Sequence, residues 1–222
     1  MIRLSSIKKK LYYFAASYFR FFASLSLGRW KPRVIAVTGS VGKTTLLNLM
    51  EVQLGNRAHY SHNANSAFGI PFDIVGLDGI RGSKLRWFYL LIAVPLRSLF
   101  FKHTQEFYVV EIDADRPNET RFLASWLKPE VTFWVSVGRS HAVNFEAVVS
   151  KGEFASVDEA ILHEFSYLPK YTKSLVIYDG DNKQIVSAMK QVTGPSKVAV
   201  TQKDLQEYTV WPNKTRFVID GA

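Results

Sequence analysis

A glycine-rich turn with a lysine and two threonines follows an apolar run near the start of the chain. The run is Val34-Ile35-Ala36-Val37. The turn that begins two residues later consists of Gly39, Ser40, Val41, Gly42, Lys43, Thr44 and Thr45. Glycines let backbone N–H groups approach anionic oxygens, a lysine neutralises those oxygens, and a threonine hydroxyl is a ligand for Mg²⁺. The pattern therefore predicts a strand, a loop that cradles the phosphates of a nucleoside triphosphate, and a following helix.

This phosphate loop (residues 39–45) is shorter than the commonest pattern. In GxxxxGK[ST] the first glycine would fall at Val37, which here belongs to the predicted strand, so the loop is of the type T-G-S-x-G-K-T. An ordinary strand-to-helix turn is the alternative. The apolar strand before the loop and the apolar positions after it supply the context that a phosphate loop requires.

Alternating strands and helices must position this loop. Strands are predicted near 33–38, 57–60, 107–112, 131–137, 174–178 and 197–200, and helices near 44–54, 117–126, 144–164 and 182–191. Such alternation predicts an α/β fold with a mostly parallel sheet flanked by helices. The residue pattern changes after residue 205, where two short runs of alternating apolar and polar residues predict a β-hairpin or two edge strands.

The composition of the chain excludes several kinds of reaction and binding site. The 222 residues are 47% hydrophobic, enough for a sizeable core, and include no cysteine, which excludes thioester chemistry, disulfides and thiolate metal sites. A net charge of +9 fits anionic substrates or an anionic membrane surface. Nucleic acid is not expected as a partner, because no base-reading module is recognisable.

Two further positions suit a metal site. Glu111 follows the apolar run Phe107-Tyr108-Val109-Val110, and an acidic residue at the carboxyl end of a parallel strand faces the same edge as Thr44. A solvated carboxylate is the alternative for Glu111. His141 also follows a predicted strand, but a single histidine there is more often structural or on the surface.

Five ordered segments resemble the Mur ligases and their folylpolyglutamate synthetase relatives. Besides the phosphate loop, 63–71 (NANSAFGIP) is similar to the N-x-N-x-x-x-G-x-P segment of the D-alanyl-D-alanine-adding, MurF-type branch. The other similar segments are 109–117 (VVEIDADRP), 135–141 (VSVGRSH), 150–154 (SKGEF) and 177–182 (IYDGDN). The resemblance implies the P-loop NTPase-like central domain of a Mur ligase.

The resemblance also implies roles for single residues. Lys43, His141 and Lys151 would be catalytic, and Asn65 would join the phosphate loop in binding the nucleotide. Thr44, Glu111, His141 and Lys151 would hold Mg²⁺, with Lys151 carbamylated so that a cation becomes an oxygen ligand. Attack on CO₂ needs the uncharged amine of that lysine. Turn chemistry is the alternative for Asn63, Asn65 and Ser66, and Asp113 and Asp115 could equally be solvated loop carboxylates.

The implied activity is ATP-dependent, ADP-forming amide ligation through an acyl phosphate, in the cytoplasm during peptidoglycan precursor synthesis. The substrates would be a nucleotide-linked peptide and an amine such as D-alanyl-D-alanine. Residues 33–222 match only the central domain of the family and are expected to be incomplete at the C-terminal end. The alternative is a membrane-associated, non-catalytic ATP-binding module, or a fragment that needs a partner domain.

A basic, aromatic segment, residues 1–32, precedes the predicted domain. It has no acidic residue, and its helical projection separates Lys10, Ser17, Arg20 and Ser24 from an apolar face. This pattern predicts an amphipathic helix that lies on an anionic membrane surface, peripheral at its inner face, or one that docks on the protein's own core. A second apolar stretch, 87–96, is too short to span a bilayer and predicts a half-buried helix that bends or ends at Pro95.

Overall fold

A six-stranded parallel sheet forms the centre of the structure. The computed structural model describes residues 2–62, 64–79, 84–211 and 214–219, with the backbone alone for 2–9, 84, 206–208, 210, 211, 214–217 and 219. The strands are β1 (Arg33–Thr38), β2 (Ala58–Tyr60), β3 (Phe107–Ile112), β4 (Val131–Trp134), β5 (Leu175–Asp179) and β6 (Ser196–Val200). Their order across the sheet is β2-β3-β1-β4-β5-β6, which confirms the predicted α/β class.

Helices pack on the sheet, and a separate strand pair follows it. The α-helices are α1 (Ile2–Trp30), α2 (Lys43–Leu54), α3 (Gly69–Ile74), α4 (Lys84–Phe100), α5 (Glu119–Leu127), α6 (Glu146–Val149), α7 (Val157–Tyr171) and α8 (Lys183–Met189). After β6, the antiparallel pair β7 (Leu205–Trp211) and β8 (Lys214–Ile219) confirms the predicted hairpin. Alternation of apolar and polar residues therefore predicted the type of each long element.

The strand order brings three carboxyl ends together. β1 lies between β3 and β4, with Val37 opposite Glu111 and Thr38 opposite both Ile112 and Trp134. The chain leaves β1 toward one edge of the sheet through β2 and β3 and fills the other edge with β4 to β6. Ligands of open parallel sheets bind where the strand order reverses in this way. The phosphate loop follows the central strand of this crevice.

The N-terminal helix docks on the protein's own core along one face. Phe19 and Ala23 of α1 are fully buried in a cluster that includes Leu90 of α4 and Phe72 of α3. The Tyr12 hydroxyl donates to Oε1 of the buried Glu119 at 2.7 Å. Arg20, predicted for the polar face, instead donates to the Phe122 carbonyl at 3.0 Å. The docked alternative is therefore confirmed for this face of α1, and no helix in the described part of the chain is long and apolar enough to cross a membrane.

Two predicted boundaries were wrong. The helix predicted over 144–164 is a 3₁₀ turn (Ala142–Asn144), α6 and α7, because Gly152 has a φ of 75° and Ser156 caps a new helix by accepting from the Glu159 N–H. Left-handed backbone cannot continue an α-helix. β4 ends at Trp134 rather than 137, since the next residues turn toward the phosphate loop. α4 was predicted to bend or end at Pro95; it continues past that residue to Phe100, which excludes an end there.

A buried carboxylate on α7 caps the helix that follows β3. Glu164 accepts from the Asn118 and Thr120 backbone N–H groups, each at 2.8 Å. Burial raises the pKa of Glu164 above its ordinary value, while these backbone N–H groups act in the opposite direction. Asn118 has a φ of 72° and no capping bond from its own side chain. Glu164 of α7 thus accepts hydrogen bonds from N–H groups at the start of α5 that have no partner within that helix.

We expect Glu164→Ala to lower the free energy of unfolding by about 2–3 kcal/mol, because the buried Thr120 N–H and the part-buried Asn118 N–H both lose their acceptor. Chemical denaturation monitored by circular dichroism measures the change. Glu153→Ala is the control, since Glu153 is exposed and its side chain has no hydrogen bond or ion pair within the described ranges. Equal stability of the two variants would contradict this role of Glu164.

Candidate functional site

The phosphate loop follows a path that only glycine permits at its first position. Gly39 has a φ of 140°, and a Cβ there would lie 2.8 Å from the Ser136 nitrogen and 2.9 Å from its oxygen. Gly42, the N-cap of α2, has a φ of 86° and no side chain that could cap the helix. The first N–H groups of α2 therefore stay available to an anion at the positive end of the helix dipole.

Residues 136–138, just after β4, hold the loop in place. The Ser136 hydroxyl donates to the Val41 carbonyl at 2.8 Å and accepts from the Val41 N–H at 2.9 Å. The Ser40 hydroxyl donates to the Gly138 carbonyl at 2.9 Å and accepts from its N–H at 2.7 Å. Four hydrogen bonds thus fix Ser40 and Val41 of the loop against the segment that follows β4.

Lys43 is buried between two carboxylates and the loop. Only 6% of the residue is exposed. Its Nζ donates to the Gly39 carbonyl at 2.5 Å and lies 3.5 Å from Asp113 Oδ2 and 4.0 Å from Glu111 Oε1. A buried cation is stable only when it is paired and hydrogen-bonded. The ammonium is therefore held in a defined position at the start of α2.

Thr44 and Glu111 form a pair of hard oxygen ligands beside that ammonium. The Thr44 hydroxyl donates to Glu111 Oε2 at 2.8 Å, and the Glu111 N–H donates to the Ser61 hydroxyl at 2.9 Å. Mg²⁺ is commonly bound by one or two protein oxygens, completed by phosphate and water. In the described ranges no group of three or more His, Cys, Asp and Glu residues is arranged to hold a metal by itself. The pair fits an ion shared with a nucleotide rather than a closed protein cage.

His141 joins the same cluster through two aspartates. Its Nδ1 lies 3.1 Å from Asp115 Oδ1, and its Nε2 lies 3.6 Å from Asp113 Oδ2. Its φ of 56° is left-handed, a backbone conformation that is uncommon outside glycine and recurs at functional sites. Asp113 therefore links Lys43 on one side to His141 on the other.

Two solved structures with a similar fold are those of MurF proteins. MurF from Acinetobacter baumannii superposes with a TM-score of 0.67 over 91% of this chain at 16% identity. MurF ligase from Thermotoga maritima, in complex with ADP, gives 0.67 over 91% at 18%. The chain has the fold of the Mur ligases. It spans 39% and 41% of the length of those two MurF chains.

A folylpolyglutamate synthetase in complex with AMPPCP shares the Mur ligase fold with this chain. Its TM-score is 0.54, over 89% of this chain and 54% of the synthetase, at 12% identity. No protein-family model matches the sequence. At these identities the comparisons establish the fold, and the site must be judged on its own residues.

The other predicted site residues differ in whether they lie near Lys43. The Asn65 carbonyl accepts from the Asp113 N–H at 3.4 Å, so its backbone lies at the site. Lys151 is exposed in the turn after α6, and its side chain makes no hydrogen bond or ion pair in the described ranges. Thr45 and Val41 are exposed, and Asn63 lies outside the described residues. The structure thus joins Lys43, Thr44, Glu111 and His141 but does not bring Lys151 into contact with them.

Sequence reasoning underrated Asp113 and overlooked Ser136. The sequence alone is compatible with Asp113 as a site residue or as a solvated loop carboxylate, and in the structure its side chain contacts both Lys43 and His141. Glu111 and Asp113 are two residues apart, and in extended chain such residues point to the same side. That spacing was the available signal. Ser136 had none, because its partners lie in a loop about a hundred residues away in the chain.

Proposed function

We propose that the chain binds MgATP in the phosphate loop and is an ATP-dependent, ADP-forming amide ligase of the Mur ligase type. The observation that carries the proposal is Lys43, buried at the start of α2 between Glu111 and Asp113. A fixed cation beside available helix N–H groups is suited to a triphosphate. The pair of hard oxygen ligands, Thr44 and Glu111, would be superfluous for a surface that merely attracts anions.

Thr44 and Glu111 would hold Mg²⁺, since both offer oxygen and lie next to the phosphate loop. The ion supplies charge neutralisation on the β- and γ-phosphates. Lys43 would donate hydrogen bonds to the transferring phosphoryl oxygens. Asp113 would position Lys43, and Asp115 would orient the His141 ring through its Nδ1.

The proposed reaction needs no protein nucleophile. A substrate carboxylate oxygen attacks the γ-phosphorus, the bond to the bridging oxygen breaks, and ADP leaves. The amine nitrogen then attacks the carbonyl carbon of the acyl phosphate, inorganic phosphate leaves, and the nitrogen loses a proton. The protein contributes by positioning two anions that repel each other and by stabilising the transferring group. Carbamylation of Lys151 and a second metal beside His141 remain parts of the proposal.

An apolar cavity beside the phosphate loop suits the nucleoside. It measures about 540 Å³ and is lined by residues that include Leu46 of α2, Val135, Tyr178 and Leu205. A Cβ at Gly42 would be 3.8 Å from Val135, so this side chain borders both the loop and the cavity. Flat apolar ligands bind in such clefts with a few polar groups at the rim. Asp179 and Asp181 supply those groups here.

For the substrates we propose a UDP-muramoyl-peptide and D-alanyl-D-alanine, because MurF structures share the fold over most of this chain. We further propose that the chain acts in peptidoglycan precursor synthesis in the cytoplasm, peripheral at the inner face of the membrane. Residues 1–32 would form a separate segment before a central ATP-binding domain, 33–222. A second candidate function is nucleotide binding that requires a partner domain, since the chain spans only 39–41% of those MurF chains.

Glu111→Gln is expected to weaken MgATP binding by about tenfold while leaving Mg²⁺-free ATP binding nearly unchanged, because an amide is a poorer metal ligand than a carboxylate. Titration with a fluorescent ATP analogue, with Mg²⁺ or with EDTA, separates the two effects. Glu51→Gln is the matched control, since Glu51 is exposed on α2. Equal losses with and without Mg²⁺ would rule out a metal role for Glu111.

Release of ADP tests the ligase assignment. The purified chain is assayed with MgATP alone, with each substrate, and with both UDP-muramoyl-tripeptide and D-alanyl-D-alanine. Stimulation by both, with formation of the amide product, supports the ligase. Nucleotide binding without stimulation supports the partner-dependent module, and absence of nucleotide binding rejects both.

A further inference from the structure

α1 presents an apolar stripe to solvent on the side opposite its buried face. The stripe consists of Leu11, Phe14, Tyr18, Phe21 and Leu25, all exposed. Their spacing of three and four residues keeps them on one side of the helix. Ala16, Phe19 and Ala23, which pack on the core, lie on the other side. Docking on the core therefore buries only one of the two apolar sides of α1.

α4 repeats this arrangement next to α1. Leu90 and Val94 are buried, whereas large apolar side chains on the other side are exposed. The exposed ones are Leu85, Phe88, Tyr89, Leu91, Ile92, Leu96, Leu99 and Phe100. The Tyr18 hydroxyl donates to the Leu91 carbonyl at 2.8 Å, and Arg29 donates to the Ser98 carbonyl. Two adjoining helices thus form one exposed surface, the α1–α4 apolar face.

Charge distinguishes among the ligands that could cover this face. Neither helix sequence contains an aspartate or glutamate, while both contain lysine and arginine. Lys10 and Lys102 are exposed near the two ends of the surface. A second copy of the chain would bring like charges together, which opposes self-association. An anionic, apolar partner complements both properties.

We propose that the α1–α4 apolar face docks on the surface of an anionic lipid bilayer, with both helices lying in the interfacial plane. Apolar side chains on such helices enter the boundary of the acyl chains, and basic groups contact the lipid phosphates. Aromatic rings such as those of Tyr18 and Tyr89 favour the boundary between the acyl chains and the headgroups, because they combine an apolar body with a polar end. The inference specifies the surface behind the membrane-peripheral part of the proposed function, and it does not depend on ligase activity.

Vesicle flotation of the full chain tests the docking. The vesicles are phosphatidylcholine alone and phosphatidylcholine mixed with phosphatidylglycerol, each at low and high salt. We expect at least about tenfold stronger binding to the anionic vesicles, weakened by salt, because several basic groups contribute. The double variant Phe14→Ser, Phe88→Ser should lose about tenfold of that binding, since two apolar side chains no longer enter the interface.

The double variant Leu49→Ser, Val52→Ser is the matched control. Leu49 and Val52 of α2 are 59% and 79% exposed, compared with 75% for Phe14 and 70% for Phe88. This control should bind vesicles like the wild type, and all three proteins should have the same melting temperature within a few degrees. Equal loss in both double variants, no preference for anionic vesicles, or a lipid-free dimer that buries Phe14 would each overturn the proposal. ATP binding, measured in parallel, reports on the nucleotide site separately.

Discussion

Lys43→Ala is expected to weaken MgATP binding by about 100-fold and to lower any ATP turnover by about 1000-fold. In the proposed function this side chain is the cation that contacts the phosphates, and its Nζ lies 3.5 Å from Asp113 Oδ2. Its loss removes that cation and also leaves Glu111 and Asp113 repelling the ligand. Both effects act in the same direction, so this change should be the largest among single side-chain truncations at the site.

Titration with a fluorescent ATP analogue in Mg²⁺ measures the loss, and circular dichroism establishes that the variant is folded. Lys190→Ala is the matched control, because Lys190 is exposed at the end of α8. A folded Lys43→Ala protein that binds MgATP within about threefold of the wild type would refute the phosphate role of Lys43.

Gly39→Ala is expected to lower the free energy of unfolding by about 2–4 kcal/mol and to abolish measurable nucleotide binding. The new Cβ would overlap the Ser136 backbone and the Val135 side chain, each less than 3.0 Å away. Backbone atoms cannot move aside as a flexible side chain can. Relief of the overlap must therefore displace the loop from Ser136 and Gly138, whose hydrogen bonds hold it in shape.

Gly28→Ala is the matched control for Gly39→Ala, and no destabilisation is expected from it. Gly28 lies within α1, and a Cβ there would meet nothing within 4 Å. Alanine in a helix is favoured over glycine by about 0.5–1 kcal/mol, so this variant should be unchanged or slightly more stable. Denaturant unfolding and nucleotide titration of the pair compare the two glycines directly. A Gly39→Ala protein as stable as Gly28→Ala would show that the close approach to Ser136 is not required.

Local pattern was sufficient to predict the sheet and the phosphate loop. Apolar runs such as Val34-Ile35-Ala36-Val37 form buried parallel strands because both faces of the sheet are covered. The loop is defined by residue types at fixed spacing, and each type has a separate physical task. Glu111 could be found in the same way, since strand order brings the carboxyl ends of β1 and β3 together.

Contacts between distant segments could not be predicted in this way. The hydrogen bonds of Ser136 to Val41 and of Glu164 to Thr120 depend on packing that no local window contains. The break at Gly152 illustrates a second difficulty, because a left-handed residue divided what an apolar period indicated as one helix. For α1, the period identified an amphipathic helix, but two apolar sides are present and only the structure shows which one is buried.

The most direct test of the account is isothermal titration calorimetry of the full chain with AMPPCP, in the presence and absence of Mg²⁺. We expect one saturable site whose affinity rises at least about tenfold with Mg²⁺, since Thr44 and Glu111 would act through the metal. Absence of saturable binding with Mg²⁺, by a protein shown to be folded, would contradict the assignment of residues 39–45 as a nucleotide phosphate site.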